Sequence, residues 1–338
     1  MRAVVQDRYG PPEVLRIEEV DWPAPGDGDL LIRVRATTVS QSDTHARAAS
    51  PFIWRLFAGF RRPRWRTLGV EMAGEVAAVG EAVKDFGVGD EIFGMPSTYF
   101  GTYAEYICVP ETGSIAHKPA GITFEEAAAV CDGAMQALSA LRLADAKAGR
   151  RIVIYGASGS LGTAAVQIAR HLGAHVTAVC GTRHVELVRS LGADDVVDYL
   201  QKDFTKNGET YDAIIDAVGK YSFRRGRSSL TQGGTYVATD GGRFLVETLA
   251  LLMATRWLGS KRVRSAIGRR SRQDVVFLKE LVEAGQFRAV VDRVYSMDQV
   301  AEAHRYVETW RKTGNVVLSI AGQPDAEPPD LRSLNLPT

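Results

Sequence analysis

The stretch Arg151 to Cys180, RIVIYGASGSLGTAAVQIARHLGAHVTAVC, constrains this chain more than any other. Ile152-Val153-Ile154-Tyr155 is an apolar, β-branched run of the kind a buried strand requires. It meets the glycine-rich turn Gly156 to Gly162, and a helical pattern follows at once, with Ala165, Ile168, Ala169 and Leu172 at the i, i+3, i+4, i+7 spacing. Gly173 ends that helix before a second buried run, Val176 to Val179. Strand, turn, helix and strand in about 30 residues make a βαβ unit, the context in which a glycine fingerprint carries meaning. The fingerprint reads A-x-G-x-x-G, with Ala157 in the first position. Gly159 lets backbone approach a pyrophosphate, Gly162 lets helix and strand pack closely, and the helix start offers unpaired N–H groups to the anion. A bound dinucleotide is the expectation.

The end of the second strand bears on which dinucleotide. An NAD site places an acid about 20 residues after the glycines to hold the ribose hydroxyls, whereas an NADP site omits it and supplies a cation. Here the strand ends Cys180-Gly181-Thr182-Arg183-His184, with no acid in the run. Thr182 can donate a hydrogen bond and Arg183 a charge-assisted pair to a 2′-phosphate. This predicts NADPH.

Length suits two domains, since 338 residues exceed what one core usually holds. A net charge of +1 gives no general pull toward nucleic acid or membrane. Cys108, Cys131 and Cys180 are odd in number, far apart and in apolar surroundings, which fits a reducing cytosol rather than a disulfide framework. The opening MRAVVQDRYGPPE has no apolar core of a secretory signal, and the apolar window Phe244 to Ala254 is too short to span a bilayer. A cytoplasmic protein without a membrane span is expected.

Residues 1–122 read as mostly β, in short runs such as Met1 to Val5, Leu30 to Ala36 and Glu75 to Val79, broken by Pro and Gly turns. From Thr123, a predicted N-cap, FEEAAAVCDGAMQALSALR turns helical. Beyond the βαβ unit come a helix from Val185 to Leu191 and strands at Val196-Val197, Ala213 to Asp216 and Thr235 to Ala238, an alternation that predicts a doubly wound parallel sheet. Its crevice lies beyond the carboxyl ends of the strands, where Asp216-Ala217-Val218-Gly219 and Thr239-Asp240-Gly241-Gly242 fall. The basic segment Arg256 to Arg272 reads as a solvated face, with Lys261 to Ile267 as a last strand whose charges guard the sheet edge. A helix from Asp274 to Ala284, a short strand and the run Val316 to Ile320 follow, and the Pro- and Asp-rich tail from Gly322 reads as loose.

Several strings, in this order, resemble the medium-chain dehydrogenase/reductase superfamily, in its zinc-free quinone oxidoreductase and enoyl reductase branch: YGPPEVLRIEEV, LGVEMAGEVAAVG, GDEIFG, GTYAEYICVP, FEEAAAV, YGASGSLGTAAVQIAR and LVRSLGADDVVDY. The resemblance implies an α/β fold in which a Rossmann-type NADP-binding domain, residues 123–268, is inserted into a mostly β GroES-like catalytic domain of residues 1–122 plus 269–321, with 322–338 a flexible tail. Carried over by position, Ser158, Gly159, Ser160, Leu161 and Gly162 would cradle the pyrophosphate, and Thr182, Arg183, His184 and Tyr199 would hold the adenosine end. Val218, Gly219, Thr239, Asp240 and Gly241 would take the ribose-nicotinamide half, with Gln136 where relatives often have Thr and Asn315 where many have Lys. Homodimers through the sheet edge are common among relatives, although Lys261-Arg262-Val263-Arg264 loads that edge with charge here.

The family's catalytic zinc takes Cys and His ligands, as soft sulfur and imidazole suit a tetrahedral zinc. At those positions stand Ser40, Val70 and, near the third, Cys131, so no metal is expected. Without a Lewis acid, hydride is best accepted by a quinone or by an α,β-unsaturated carbonyl. The expected catalytic residues lie in Thr38-Val39-Ser40-Gln41-Ser42-Asp43-Thr44-His45: Ser40 at the oxyanion donor position, Asp43, and His45 as a proton donor. The segment PFIWRLFAGFRRPRW, Pro51 to Trp65, supplies aromatic walls and arginines for a flat acceptor, or covers the cleft or a partner subunit. A zinc-independent alcohol or carbonyl dehydrogenase and a non-catalytic NADPH-binding protein are the competing readings. Short-chain reductases are disfavoured because they need Tyr-x-x-x-Lys, and Tyr199 and Lys202 are one residue too close.

Overall fold

The computed structural model describes residues 1–320 apart from 51, 53, 54, 97–99, 240–244, 258, 267, 269 and 270. The tail 322–338, Asp240 and Gly241 therefore lie outside the described residues, as does part of the expected last strand. The chain divides into two compact units. One holds Met1–Cys131 and the described residues of Arg270–Glu283 and Arg288–Thr338, and the other holds Asp132–Arg269 and Ala284–Phe287.

The first unit is mostly β. Its strands before the glycine-rich turn are β1 Arg2–Val5, β2 Arg16–Glu19, β3 Asp29–Val39, β4 Met72–Val79, β5 Glu91–Met95, β6 Tyr106–Pro110 and β7 Ser114–His117. The second unit contributes β8 Arg151–Tyr155, β9 His175–Cys180, β10 Asp195–Asp198, β11 Tyr211–Asp216, β12 Leu230–Ala238 and β13 Arg262–Ser265, after which β14 Val291–Ser296 and β15 Asn315–Ser319 return to the first. There the sheet order is β14-β15-β3-β4-β5-β7, with β6 on β3 and a separate β1-β2 ladder. The eleven residues of β3 alternate poorly because both faces are covered, and Leu30, Leu31, Ile32, Val34 and Ala36 are all within 1% of full burial.

The second unit is a six-stranded parallel sheet in the order β10-β9-β8-β11-β12-β13. That is the doubly wound order, in which direction reverses between β8 and β11 and ligands sit beyond the carboxyl ends. β8 and β11, central in the sheet, bury Ile152, Val153, Ile154, Ala213, Ile214 and Ile215 completely. β8 to β12 form with longer bounds than expected, and the last strand is shorter, Arg262–Ser265 against Lys261 to Ile267. The continuous helix expected after Thr123 is two, Phe124–Ala128 and Cys131–Leu143. Thr123 caps the first through a capping box with Glu126. Among the helices of eight or more residues, Gln41–Ala48, Leu245–Trp257 and Val300–Glu308 had no place in the sequence reading.

Candidate functional site

In the second unit, β8 delivers Tyr155 to Gly156, whose φ of +84° lies in the region glycine alone adopts freely. The N–H groups of Gly156 and Ala157 both donate to the Val179 carbonyl, at 3.0 and 3.1 Å, which ties the turn to β9. Gly159 is the N-cap of the helix Ser160–His171 and brings no side-chain cap. The first N–H groups of that helix, on Ser160, Leu161 and Gly162, therefore have no intrahelical acceptor. A Cβ on Gly162 would sit 2.2 Å from the Gly156 carbonyl oxygen and 2.7 Å from Ala157 Cα. Only a hydrogen fits there, so the helix start and the turn are in backbone contact. An uncapped helix start behind a glycine-rich turn suits a pyrophosphate.

Beyond β9, Gly181 caps a short 3₁₀ turn holding Thr182, Arg183 and His184. Arg183 Nε donates to His184 Nε2 at 3.1 Å, and Tyr199, 54% exposed, stands over Gly181. The absence of an acid in the run Cys180 to His184 does not carry over to space. Parallel pairing places Asp198 opposite Cys180, and the Thr182 hydroxyl donates to its Oδ2 at 2.5 Å. Asp198 also accepts from the Leu200 N–H at 3.0 Å and from Gln201 Nε2 at 2.8 Å. The Thr182 bond, above all, holds the Asp198 carboxyl below the usual carboxylate range. Strand register is the signal that finds this residue. A cavity of about 700 Å³ runs along β10 from Thr182 to Glu209, past Arg151 and Tyr211, and shares Thr182 alone with the expected cofactor residues.

At the carboxyl end of β11 stands Asp216, 1% exposed. Its carboxylate accepts from the N–H groups of Val218 at 3.2 Å and Tyr221 at 2.9 Å and from the Tyr236 hydroxyl at 3.2 Å. The loop that follows β11 is thus wound around one buried charge. Val218 packs against the glycine turn, its side chain 2.6 Å from where a Gly156 Cβ would be, and Gly219 follows at φ +61°. Thr239 reaches back to the Asp216 carbonyl through its hydroxyl at 2.8 Å. Burial outweighs these bonds and pushes the Asp216 carboxyl up to about 6. Gln136, half-buried, donates to Asp132 Oδ1 at 3.3 Å. Asn315 belongs to the first unit, and its amide donates to the carbonyls of Ala129 at 3.1 Å and Val290 at 3.3 Å.

In the first unit, Ser40 ends β3's extension and caps the helix Gln41–Ala48. Ser40 and Asp43 form a capping box: the Ser40 hydroxyl donates to Asp43 Oδ2 at 2.7 Å and accepts from the Asp43 N–H at 3.3 Å, and the Ser40 N–H donates to Oδ2 at 2.8 Å. The hydroxyl proton of Ser40 is thus committed to Asp43. Asp43 Oδ1 accepts from the Gly69 N–H at 2.9 Å. His45 is half-buried on the same helix. Nearby, the Thr38 hydroxyl donates to Glu71 Oε1 at 2.6 Å, with both residues buried. Val70 and Cys131, at the other two zinc-ligand positions, are 4% and 1% exposed. Among the described residues no group of three or more His, Cys, Asp or Glu is arranged to hold a metal ion. Phe52 and Phe60 are each 63% exposed and meet edge to face at 6.2 Å, with Arg55 over the Phe52 ring at 5.2 Å.

Comparison with known proteins bears on both units. Residues 26–120 match the family described as alcohol dehydrogenase GroES-like domain, and residues 191–318 the one described as zinc-binding dehydrogenase. The quinone-oxidoreductase QR1 of Triphysaria versicolor is 30% identical over 335 residues, spanning 94% of this chain and 98% of that protein. An NADPH-dependent alkenal/one oxidoreductase of Arabidopsis thaliana is 30% identical over 331 residues, spanning 94% and 79%. The solved structure of the quinone oxidoreductase from Coxiella burnetii superposes with a TM-score of 0.85 at 25% identity, covering 95% of this chain and 99% of that one. By these full-length likenesses, the chain belongs to the medium-chain dehydrogenase/reductase superfamily of oxidoreductases, in its quinone oxidoreductase-like branch.

Proposed function

We propose that this oxidoreductase uses NADPH to reduce a quinone or an α,β-unsaturated carbonyl without a metal. The observation that carries the reading is the uncapped helix start behind Gly159 and Gly162, with Arg183 at the end of the neighbouring strand. The Thr182 hydroxyl, expected to donate to the 2′-phosphate, gives its proton to Asp198 instead. When bound there, NADPH supplies a hydride. The N–H groups of Ser160, Leu161 and Gly162 bind its pyrophosphate, with Ser158 and Gly159 forming the approach. Arg183, His184 and Tyr199 take the 2′-phosphate end, while Asp198 orients the Thr182 hydroxyl. Val218, Gly219 and Thr239 border the ribose-nicotinamide half, and Gln136 joins them. Asp240 and Gly241 share that assignment, whereas the amide hydrogens of Asn315 are spent on backbone carbonyls of its own unit.

Arg183→Ala is expected to weaken NADPH binding about tenfold, the loss of one exposed charge-assisted contact, and to leave NADH binding unchanged. Fluorescence titration of both nucleotides decides it, and equal losses for the two would remove Arg183 from the 2′-phosphate.

Metal independence is supported by the donor set. Ser40 and the apolar Val70 replace two of three zinc ligands, and Cys131 alone cannot hold the ion, although one matched family carries zinc in its description. A conjugated acceptor suits such a site because it takes hydride without a Lewis acid, and the two relatives above are named for quinones and for alkenals and alkenones. With the Ser40 proton held by Asp43, His45 is left as the residue of this segment that hands a proton to the reduced acceptor. His45→Ala is expected to lower kcat about 100-fold, the usual size of a general-acid contribution, with the KM for NADPH unchanged. Steady-state kinetics in which His45→Ala keeps wild-type kcat would place the donor elsewhere. Cys108, Cys131 and Cys180 form no disulfide, which supports a reducing cytosol, and β13 is an edge strand that could pair in a homodimer, against the charge it carries. Among the described residues no helix is long and apolar enough to cross a membrane.

A further inference from the structure

The first unit contains a line of buried polar side chains that the proposed reaction leaves without a task. Arg47 and His304, 257 positions apart in sequence, lie side by side, 1% and 0% exposed, with Arg47 Nη1 3.5 Å from His304 Nδ1. The Tyr103 hydroxyl, also fully buried, is 3.4 Å from His304 Nε2. The Tyr103 ring packs on Gly69, whose N–H donates to the Asp43 carboxyl, and that carboxyl, after burial, raises the pKa of the Tyr103 hydroxyl. Arg47 is further held by the Gly10 carbonyl at 3.1 Å and by Glu308.

Donor chemistry gives this line one direction. A guanidinium only donates, so His304 Nδ1 accepts and the neutral ring carries its proton on Nε2. That proton goes to the Tyr103 oxygen, which leaves the hydroxyl's own proton for the neighbouring Asp43 carboxyl. Burial, and secondarily the charge of Arg47, hold His304 neutral, down at about 3. The last member, Asp43, clasps two loops at once through the N–H groups of Ser40 and Gly69. Gly69, at φ +93°, lies so close to Tyr103 that a Cβ there would be 2.5 Å from the ring. An apolar core would hold a helix pair at least as firmly as this buried ionic line, so firmness alone does not account for it.

We propose that Arg47, His304 and Tyr103 are positioning residues: they fix the Asp43 carboxylate and, through it, the Ser40 and Gly69 loops on the acceptor side. The assignment of that side rests on the proposed function.

The test compares Tyr103→Phe, His304→Leu and His304→Gln in the full-length protein. Phenylalanine removes one hydroxyl, leucine breaks the line, and glutamine keeps one acceptor and one donor. Tyr103→Phe and His304→Leu are expected to lower kcat at least tenfold with the KM for NADPH within twofold, and His304→Gln to recover most of the loss. Amide hydrogen exchange at Ser40 and Gly69 should quicken at least tenfold in the first two variants, while the second unit keeps its protection. Wild-type exchange at both amides in Tyr103→Phe, or an even rise across the whole protein, would overturn the proposal. Exchange is read without turnover, so a wild type inactive toward every conjugated acceptor would count against the functional reading alone.

Discussion

Gly162→Ala is expected to weaken NADPH binding at least tenfold and to cost about 2 kcal/mol of stability. The added methyl would meet backbone on two sides, 2.2 Å from the Gly156 carbonyl and 2.7 Å from Ala157 Cα, and neither has a rotamer to yield with. The helix Ser160–His171 must therefore lift away from the turn, carrying with it the N–H groups proposed to meet the pyrophosphate. Gly159→Ala makes the internal comparison, since its nearest outside atom is 3.7 Å away and its backbone is extended. Its fold should survive, and any loss of affinity there reports crowding of the nucleotide rather than of the protein. Nucleotide titration with chemical denaturation reads both, and wild-type affinity in Gly162→Ala would detach the turn from the cofactor.

Asp216→Ala is expected to destabilise the second unit by about 3 kcal/mol near pH 4, the scale for leaving buried donors without an acceptor. The Val218 and Tyr221 N–H groups would then have no carboxylate to meet, while the Tyr236 hydroxyl keeps the Tyr221 carbonyl at 2.6 Å. Because the same carboxylate seats Val218 against Gly156, NADPH affinity should fall with it. The pH dependence has a defined sign. The Asp216 carboxyl is raised from an ordinary 3.8 to about 6 in the folded protein. The folded state thus favours its protonated form. This contribution to stability is fully present below pH 3.8 and is lost as pH rises through 6. The loss amounts to about 3 kcal/mol for two pKa units. Denaturation across pH 4 to 8 should therefore show the gap between wild type and Asp216→Ala narrowing toward pH 8. A gap that widens with pH would mean that the hydrogen bonds outweigh burial.

What could be read from the chain, and what could not, divides along local and non-local contacts. The βαβ unit was legible because glycine turn, helix period and β-branched runs are adjacent in sequence, and β8, β9 and the helix Ser160–His171 form as expected. Asp198 was hidden because only the pairing of β10 with β9 brings it to Thr182. The helix Gln41–Ala48, QSDTHARA, has no apolar period to betray it, yet Ser40 three residues before Asp43 is a capping signature that was read as chemistry alone. In the helix Val300–Glu308 the buried positions Val300, Ala303, His304 and Val307 follow the i, i+3, i+4, i+7 pattern. His304 lies on that stripe, a signal that was not used, and nothing along the chain pointed to Arg47 and Tyr103 as its partners.

The central claim is that NADPH reduces a conjugated acceptor here without a metal. Its most direct test is the oxidation of NADPH by chelator-treated, metal-free protein, offered a 1,4-quinone, a 2-enal and a simple ketone in parallel. Turnover with the quinone or the enal, none with the ketone, and no gain on adding zinc is the predicted result. Turnover of the ketone alone, or activity that appears only when zinc is restored, would contradict it.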